Sequence, residues 1–178
     1  MKDDTLPPVV KIDDSVLAAV FGLTLATKRS TAENIVDNKD RDNLVIEPFA
    51  NPFRVYPLGE DFEDFKTLFN KNQTACYILN TGFYQGKKVT PQDTLSSIEK
   101  IVEKQAKFVS FGPISGMNYL PLEGFEVNFD DAKYMKALRE RMESRLTFIL
   151  NQNSEREGYN ALPEEAITTM RRVITELS

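Results

Sequence analysis

The residues best placed to do chemistry lie within residues 80–94, where a predicted strand, a glycine-bearing loop and a capped helix follow one another. Gly82 and Gly86 would let the backbone turn and approach a ligand closely. Lys87 and Lys88 would bring two positive charges to a helix start, whose unpaired N–H groups also attract anions. The segment therefore predicts a site for an anion or polar ligand, although similar loops also join strands to helices without binding anything.

The same segment does not have the pattern of a phosphate-binding P-loop. That pattern has four residues between its glycines, and a Ser or Thr after the Lys to bind magnesium. Here only three residues separate Gly82 from Gly86, and Lys88 follows Lys87. No other segment of the sequence fits the pattern, so a phosphate grip of this type is not expected.

The composition excludes several classes of enzyme. The chain contains no histidine, which rules out Ser-His-Asp and Cys-His catalysis and all histidine-containing metal sites. Any acid–base catalysis would fall to carboxylates, Lys or Tyr with strongly shifted pKa values. The single cysteine, Cys76, cannot form an internal disulfide, and we interpret it as a small core residue in a reducing cytoplasm.

The charge balance and the hydropathy argue against two kinds of partner. The 178 residues include 27 acidic and 22 basic ones, for a net charge of −5. Nucleic-acid binding needs a basic face that displaces counterions, so we expect none. No stretch approaches the roughly 20 apolar residues that span a bilayer, and the first residues lack the apolar core of a signal peptide. We therefore expect a cytoplasmic protein with no membrane partner.

Hydrophobic periodicity predicts the elements that position residues 80–94. Residues 75–79 and 107–111 are predicted strands, the first of them buried in a sheet. A buried helix is expected from Ser15 to about Thr27, although periodicity alone leaves a strand open there. Residues 28–43 are dense in charge and predict a solvated loop. Further amphipathic helices are predicted after Asp61, after Asp131 and from Pro163, and residues 44–57 predict short edge strands or an extended loop.

The helix after the loop has a clear start signal. Thr90 is an N-cap candidate, Pro91 occupies the first helical position, and Asp93 follows three residues after Thr90, as in a capping box. Its apolar stripe, which we expect to be buried, consists of Leu95, Ile98, Ile101 and Val102. At the other end of the chain, polar residues 151–160 predict a linker. The expected domains are residues 1–150, followed by a linker and helix, 151–178, that packs on the domain or forms a tail.

At residues 80–94 the chain resembles the ATP-dependent phosphoenolpyruvate carboxykinases. That family has Asn-Thr-Gly-Trp, a short loop containing glycine, then Gly-Lys-Arg-Ile-Ser and, three residues on, Asp-Thr at a helix start. The matching runs here are Asn80-Thr81-Gly82-Phe83, Gly86-Lys87-Lys88-Val89-Thr90 and Asp93-Thr94. Weaker matches in the same order, beginning at Leu6-Pro7-Pro8-Val9, extend the resemblance over about residues 6–150.

The resemblance implies part of a carboxykinase-like C-terminal nucleotide-binding domain, an α/β fold with a mixed sheet and flanking helices. In the family, this loop and helix start contact the adenine and ribose of ATP. Carried over by position, the contacts are Lys88 (for Arg), Val89 (for Ile) and Thr94, with Gly86 and Lys87 beside them. Lys88 lacks the planar fork with which an arginine stacks and binds bidentately. The family's phosphate loop, its ligands for a divalent metal and its substrate-binding arginines lie upstream and have no counterpart here.

Three hypotheses follow. The chain is the C-terminal part of a carboxykinase-like protein, whose parent would be an ATP-dependent lyase of gluconeogenesis that decarboxylates oxaloacetate with phosphoryl transfer. Its partners would be the upstream catalytic half and an adenine nucleotide, and alone it would be inactive, because the missing parts supply nearly all of the rate. Alternatively, it is a stand-alone nucleotide- or protein-binding module without catalytic activity. Finally, its loop does nothing special, in which case apolar surface left exposed by truncation favours self-association.

Overall fold

The computed structural model describes residues 1–28, 44–72 and 74–178, so most of the solvated loop predicted for residues 28–43 lies outside the described residues. The helices are α1 (Ser15–Leu23), α2 (Leu58–Asn72), α3 (Pro91–Val102), α4 (Ala132–Gln152) and α5 (Glu164–Glu176). The strands are β1 (Val9–Ile12), β2 (Ala26–Lys28), β3 (Leu44–Ile46), β4 (Cys76–Leu79), β5 (Phe83–Tyr84), β6 (Lys87–Lys88), β7 (Val109–Ser110) and β8 (Met117–Tyr119). The predicted mixture of helices and strands is confirmed.

The main sheet has the strand order β4-β1-β8-β7, with β2-β3 and β5-β6 as separate two-stranded pairs. Every pairing within the described residues is antiparallel, so the expected mixed sheet is wrong for this part of the chain. The reason lies in the connections. After β1 ends at Ile12, the chain returns to the same end of the sheet, where Cys76 and Met117 begin β4 and β8. A parallel neighbour would need a crossover to the opposite end.

Strand β4, predicted to be buried, forms one edge of the sheet. Its side chains alternate, as those of a half-covered strand do: Ile78 is buried, whereas Tyr77 is exposed. Cys76 is half-buried, and this burial raises the pKa of its thiol. The residue thus sits at the border of the core.

Helix α1 lies at the centre of the helical layer, as its almost wholly apolar sequence predicts. Asp14 caps it by accepting the N–H of Leu17 at 2.7 Å, and α1 packs against α2 and α5. Helix α5 also packs against α4, burying Met170 and Val173. Arg139 and Glu143 form an ion pair on α4, with a nitrogen–oxygen distance of 3.0 Å. No helix in the described part of the chain is both long and apolar enough to cross a membrane.

Helix α3 forms where the capping signals predict it, but the expectation that its apolar stripe is buried is wrong. Leu95 is 62% exposed and Val102 is 74% exposed, while Ser97 is the buried residue of the helix. Sequence periodicity identifies which face is apolar, yet it does not show what covers that face. Among the described residues, no element does.

The first eight residues contribute a buried ion pair. The Asp3 carboxylate lies 2.6 Å from a guanidinium nitrogen of Arg145, and both side chains are almost completely buried. The hydroxyl of Thr5 also donates to Asp3 at 2.7 Å. The pair fixes the start of the chain to the middle of α4.

Arg145 also binds the C-terminal end of helix α1. Its guanidinium donates to the carbonyl oxygen of Thr24 at 2.7 Å and to the Thr24 hydroxyl at 2.6 Å. Its charged plane lies over the ring of Phe21, 4.6 Å from the ring centroid, as in a cation–π contact. One side chain therefore joins the N-terminal segment, the end of α1 and helix α4.

The surroundings of Asp3 stabilise its charged form. Burial alone would raise the pKa of this carboxyl, but the positive charges of Arg145 and Arg141 and the hydrogen bonds from Thr5 outweigh burial. The pKa of Asp3 consequently lies below its ordinary value of 3.8.

Replacement of Asp3 by Asn should destabilise the fold by about 3 kcal/mol at neutral pH, because it leaves the Arg145 charge buried without its counter-ion. The measurement is urea unfolding of both proteins. Because the folded pKa is depressed, the Asp3 contribution is complete above the unfolded pKa and is lost as the pH falls through the folded value. The difference between the two proteins should therefore shrink below about pH 4.

The matched control for this prediction is Asp4→Asn. Asp4 is mostly exposed and lies 3.3 Å from Arg141, so its replacement should cost no more than about 1 kcal/mol. Equal losses from the two substitutions, or an Asp3→Asn difference that stays constant into strong acid, would contradict the role given to the buried pair.

Candidate functional site

The loop after β4 is held in place by the buried side chain of Asn80. Its amide group donates to the carbonyl oxygens of Asp3 at 2.6 Å, Leu6 at 2.7 Å and Phe83 at 2.9 Å. Its carbonyl oxygen accepts the N–H of Gly82 at 3.0 Å. Because one side chain binds both the N-terminal segment and the loop, the two cannot move independently without leaving buried polar groups unpaired.

The predicted glycine-bearing loop is a tight hairpin formed by β5 and β6. Its two central residues, Gln85 and Gly86, both have positive φ, at 47° and 80°, as a type I′ turn requires. The N–H of Gln85 donates to the carbonyl oxygen of Asp4 at 2.9 Å, and that of Val89 donates to Gly82 at 3.0 Å. The hairpin therefore presents its lysines from a rigid backbone.

The start of α3 has the full capping box that the sequence indicates. The Asp93 carboxylate accepts the Thr90 N–H at 2.8 Å, and the Thr90 hydroxyl accepts the Asp93 N–H at 3.2 Å. Hydrogen bonds from Thr90 lower the pKa of Asp93, so the carboxylate is ionised at neutral pH. Pro91 has no N–H. The helix start thus carries its own negative charge, which opposes the binding of an external anion there.

A cleft of about 390 Å³ lies between the hairpin and the first turn of α3; we call it the helix cleft. It is lined by Thr81, Lys88, Val89, Thr90, Pro91, Thr94 and Leu95. Val89, Pro91 and Leu95 give it apolar walls, while Thr94 supplies a hydroxyl that donates to the Thr90 carbonyl at 3.3 Å. The Thr94 oxygen keeps lone pairs with which to accept a hydrogen bond.

A second cleft, of about 570 Å³, adjoins the first and shares Thr81 and Lys88 with it. We call it the basic cleft, because its charged lining residues are Lys2, Lys28, Lys88, Arg141, Asp3 and Asp4. The exposed ring of Phe83 and the backbone of Gly86 complete one side. Positive charges therefore outnumber negative ones around this opening.

The five residues predicted to contact a nucleotide are distributed unevenly. Lys88, Val89 and Thr94 line the helix cleft, and Gly86 and Lys88 line the basic cleft. Lys87 lines neither. Its ammonium donates to the Gly124 carbonyl at 2.8 Å and lies 4.4 Å from the centre of the Phe125 ring. Of the two adjacent lysines, the structure turns Lys88 towards the clefts and Lys87 towards the chain itself.

Sequence reasoning did not predict that Lys2 and Arg141 lie beside this hairpin. They approach it from the N-terminal segment and from α4, far away in sequence. The resemblance at Leu6-Pro7-Pro8-Val9 lies close to Lys2 in the sequence but assigns no role to it. As for metals, the described residues hold no group of three or more side chains able to bind an ion. The divalent metal implied by the resemblance therefore has no ligand set in this part of the chain.

Gly86 should be required for its backbone conformation rather than for space, because a Cβ added to it would meet no atom within 4 Å. Gly86→Val should lower the unfolding free energy by about 1–2 kcal/mol, since a branched residue disfavours positive φ. Gly86→Asn should cost less, because Asn tolerates this conformation. Urea denaturation of the two variants checks this. Equal losses of unfolding free energy from the two substitutions would mean that the positive φ at position 86 does not determine which residue is tolerated there.

The three residues that the resemblance assigns to adenine and ribose thus border one cleft. Lys87, which lies beside them in the sequence, contacts Gly124 and Phe125 instead. No protein-family model matches the chain, and no curated protein matches it either. The support for a function comes from the chemistry of the two clefts and from the matching runs at residues 80–94.

Proposed function

We propose that the chain is the C-terminal part of a protein resembling the ATP-dependent phosphoenolpyruvate carboxykinases, and that it supplies the adenine and ribose side of an ATP site. The observation that carries the proposal is that Lys88, Val89 and Thr94 line a single cleft. These are the residues assigned to the nucleotide by their position in the resembling runs.

The chemistry of the helix cleft suits a flat base joined to a sugar. Pro91 and Leu95 offer exposed apolar surface for a face of the base, above the almost fully buried Val89. Small-molecule sites combine such surface with a few polar groups that fix orientation. The Thr94 and Thr81 hydroxyls are the polar groups here. Lys88 stands where the two clefts meet and has no hydrogen-bond or ion-pair partner among the described residues. Its ammonium is therefore available to the ligand.

The chain alone is proposed to be catalytically inactive. Phosphoryl transfer depends on positioned cations and metal ions around the transferred group, and the described residues offer no ligand set for such an ion. In this proposal the upstream catalytic half of the parent supplies the metal and the substrate contacts. The parent would then be a lyase acting on oxaloacetate, and this chain a contributor to its nucleotide site.

The exposed apolar stripe of α3 supports the proposal that the upstream half of the parent packs against this chain. Leu95, Ile98 and Val102 form an apolar line on one face of the helix and are all exposed. Leu95 also borders the helix cleft, so a protein segment covering this stripe would close the cleft from one side. Left uncovered, such a stripe favours self-association.

A second candidate is a stand-alone nucleotide-binding module with no catalytic activity. The observation that favours it is that both clefts are lined by residues of this chain. The two candidates differ in affinity. A half-site should bind adenosine weakly and tighten when the upstream half is added, whereas a complete module should not change.

Leu95→Glu should weaken adenosine binding by at least about tenfold, or roughly 1.4 kcal/mol, because it replaces an apolar wall of the helix cleft with a charge. Leu95 is exposed, so the substitution should leave the fold intact. The measurement is a titration of the isotope-labelled chain with adenosine, followed by the amide signals of Val89 and Thr94.

The matched control is Val102→Glu, which places the same charge on the same helix face two turns away, outside the cleft. It should leave adenosine binding unchanged. No shift of these amide signals at millimolar adenosine, or equal weakening by the two substitutions, would sink the proposal for this cleft.

A further inference from the structure

We propose that the basic cleft is the phosphate subsite of the same nucleotide, so that a phosphate chain extends from the helix cleft past Lys88 towards Lys2 and Arg141. This inference rests on the proposed function, since it assumes a base in the helix cleft. The two clefts are continuous, because Thr81 and Lys88 line both. The ligand class is an adenine nucleotide with two or more phosphates.

The charges of the basic cleft favour an anion. Lys2, Lys28, Lys88 and Arg141 line it together with Asp3 and Asp4. The Arg141 guanidinium lies 3.3 Å from the Asp4 carboxylate, so Lys2 and Lys88 carry the positive charges that have no partner among the described residues. The charge of Asp3 is already matched, because its carboxylate lies 2.6 Å from the buried guanidinium of Arg145. A ligand carrying several negative charges gains most from such a surface.

The cations are held on rigid backbone. The Lys2 N–H donates to the Ala26 carbonyl at 2.8 Å, and the Thr81 N–H donates to the Met1 carbonyl at 2.9 Å, which joins the two sides of the cleft. Among the described residues, the Lys2 ammonium has no ion-pair or hydrogen-bond partner, and the same is true of Lys88. Little conformational freedom of the backbone has to be lost when an anion binds.

The charge at the start of α3 also favours a phosphate chain that runs into the basic cleft. Helix N-termini commonly bind phosphate, but here the Asp93 carboxylate already accepts the N–H and the hydroxyl of Thr90. A phosphate placed there would meet a negative charge instead of free N–H groups. The basic cleft, on the other side of Lys88, offers the opposite charge. The phosphate chain should therefore leave the base in that direction.

The test compares adenosine, AMP, ADP and ATP by calorimetry at low ionic strength, together with sodium tripolyphosphate as a competitor. Affinity should rise with each phosphate, ATP should bind at least about tenfold more tightly than adenosine, and added salt should reduce this difference. Lys2→Gln should weaken ATP binding by about threefold to tenfold while leaving adenosine binding unchanged. Lys100→Gln, on the exposed surface of α3 outside both clefts, should change neither.

The outcomes separate the two proposals. If adenosine binds but ATP binds no more tightly, or if Lys2→Gln and Lys100→Gln behave alike, the phosphate subsite is wrong while the base site stands. If tripolyphosphate binds in a Lys2-dependent manner but adenosine does not bind, the proposed function fails, and with it the assignment of the cleft to a nucleotide. Circular dichroism and urea unfolding of Lys2→Gln verify that any loss of binding is not a loss of fold.

Discussion

The buried pair of Asp3 and Arg145 is the constraint on which the rest of the structure depends. Removing two charges from water is costly, and polar partners offset part of that cost. Arg145 pairs with Asp3 and donates to the Thr24 carbonyl and hydroxyl, although its buried Nε has no partner among the described residues, while Asp3 is bound by Arg145 and Thr5. All of these contacts are made only when the N-terminal segment, the end of α1 and the middle of α4 meet. The pair therefore specifies one arrangement of these elements, whatever its net contribution to stability.

The clefts follow from that arrangement through a single further residue. Asn80 binds the carbonyl oxygens of Asp3 and Leu6 with the same amide group that binds Phe83 in the hairpin. The hairpin is thus fixed to the segment that the ion pair fixes to α4. Lys2 and Arg141 come to lie opposite Lys88 as a consequence. Polar contacts therefore hold together a surface that is built from three distant parts of the chain. Any other arrangement of these parts would leave buried polar groups unpaired.

Sequence reasoning succeeded where the decisive contacts are local. The capping box of Thr90 and Asp93 spans three residues, and the caps supplied by Asp14 and Asp131 act within one turn. It failed where the partner is remote, because no pattern in the sequence indicates a contact between Asp3 and Arg145, 142 positions apart. The predictions that the apolar stripe of α3 and strand β4 are buried were wrong for the same reason. Periodicity marks an apolar face, whereas burial depends on whether another element covers it.

The candidate site shows the same division between local and remote contacts. The remote contacts change the chemistry that the site offers. The sequence joined two lysines and a helix start into one anion site. The structure separates them: Asp93 neutralises the helix start, Lys87 turns to Gly124 and Phe125, and Lys88 faces the clefts. A helix start that carries its own carboxylate repels a phosphate but tolerates an uncharged base. Positive charge lies instead on Lys2, beside the hairpin, and on Arg141, whose guanidinium is 3.3 Å from the Asp4 carboxylate. Capping and anion binding compete for the same N–H groups, so the complete capping box of Thr90 and Asp93 disfavours an anion at this helix start.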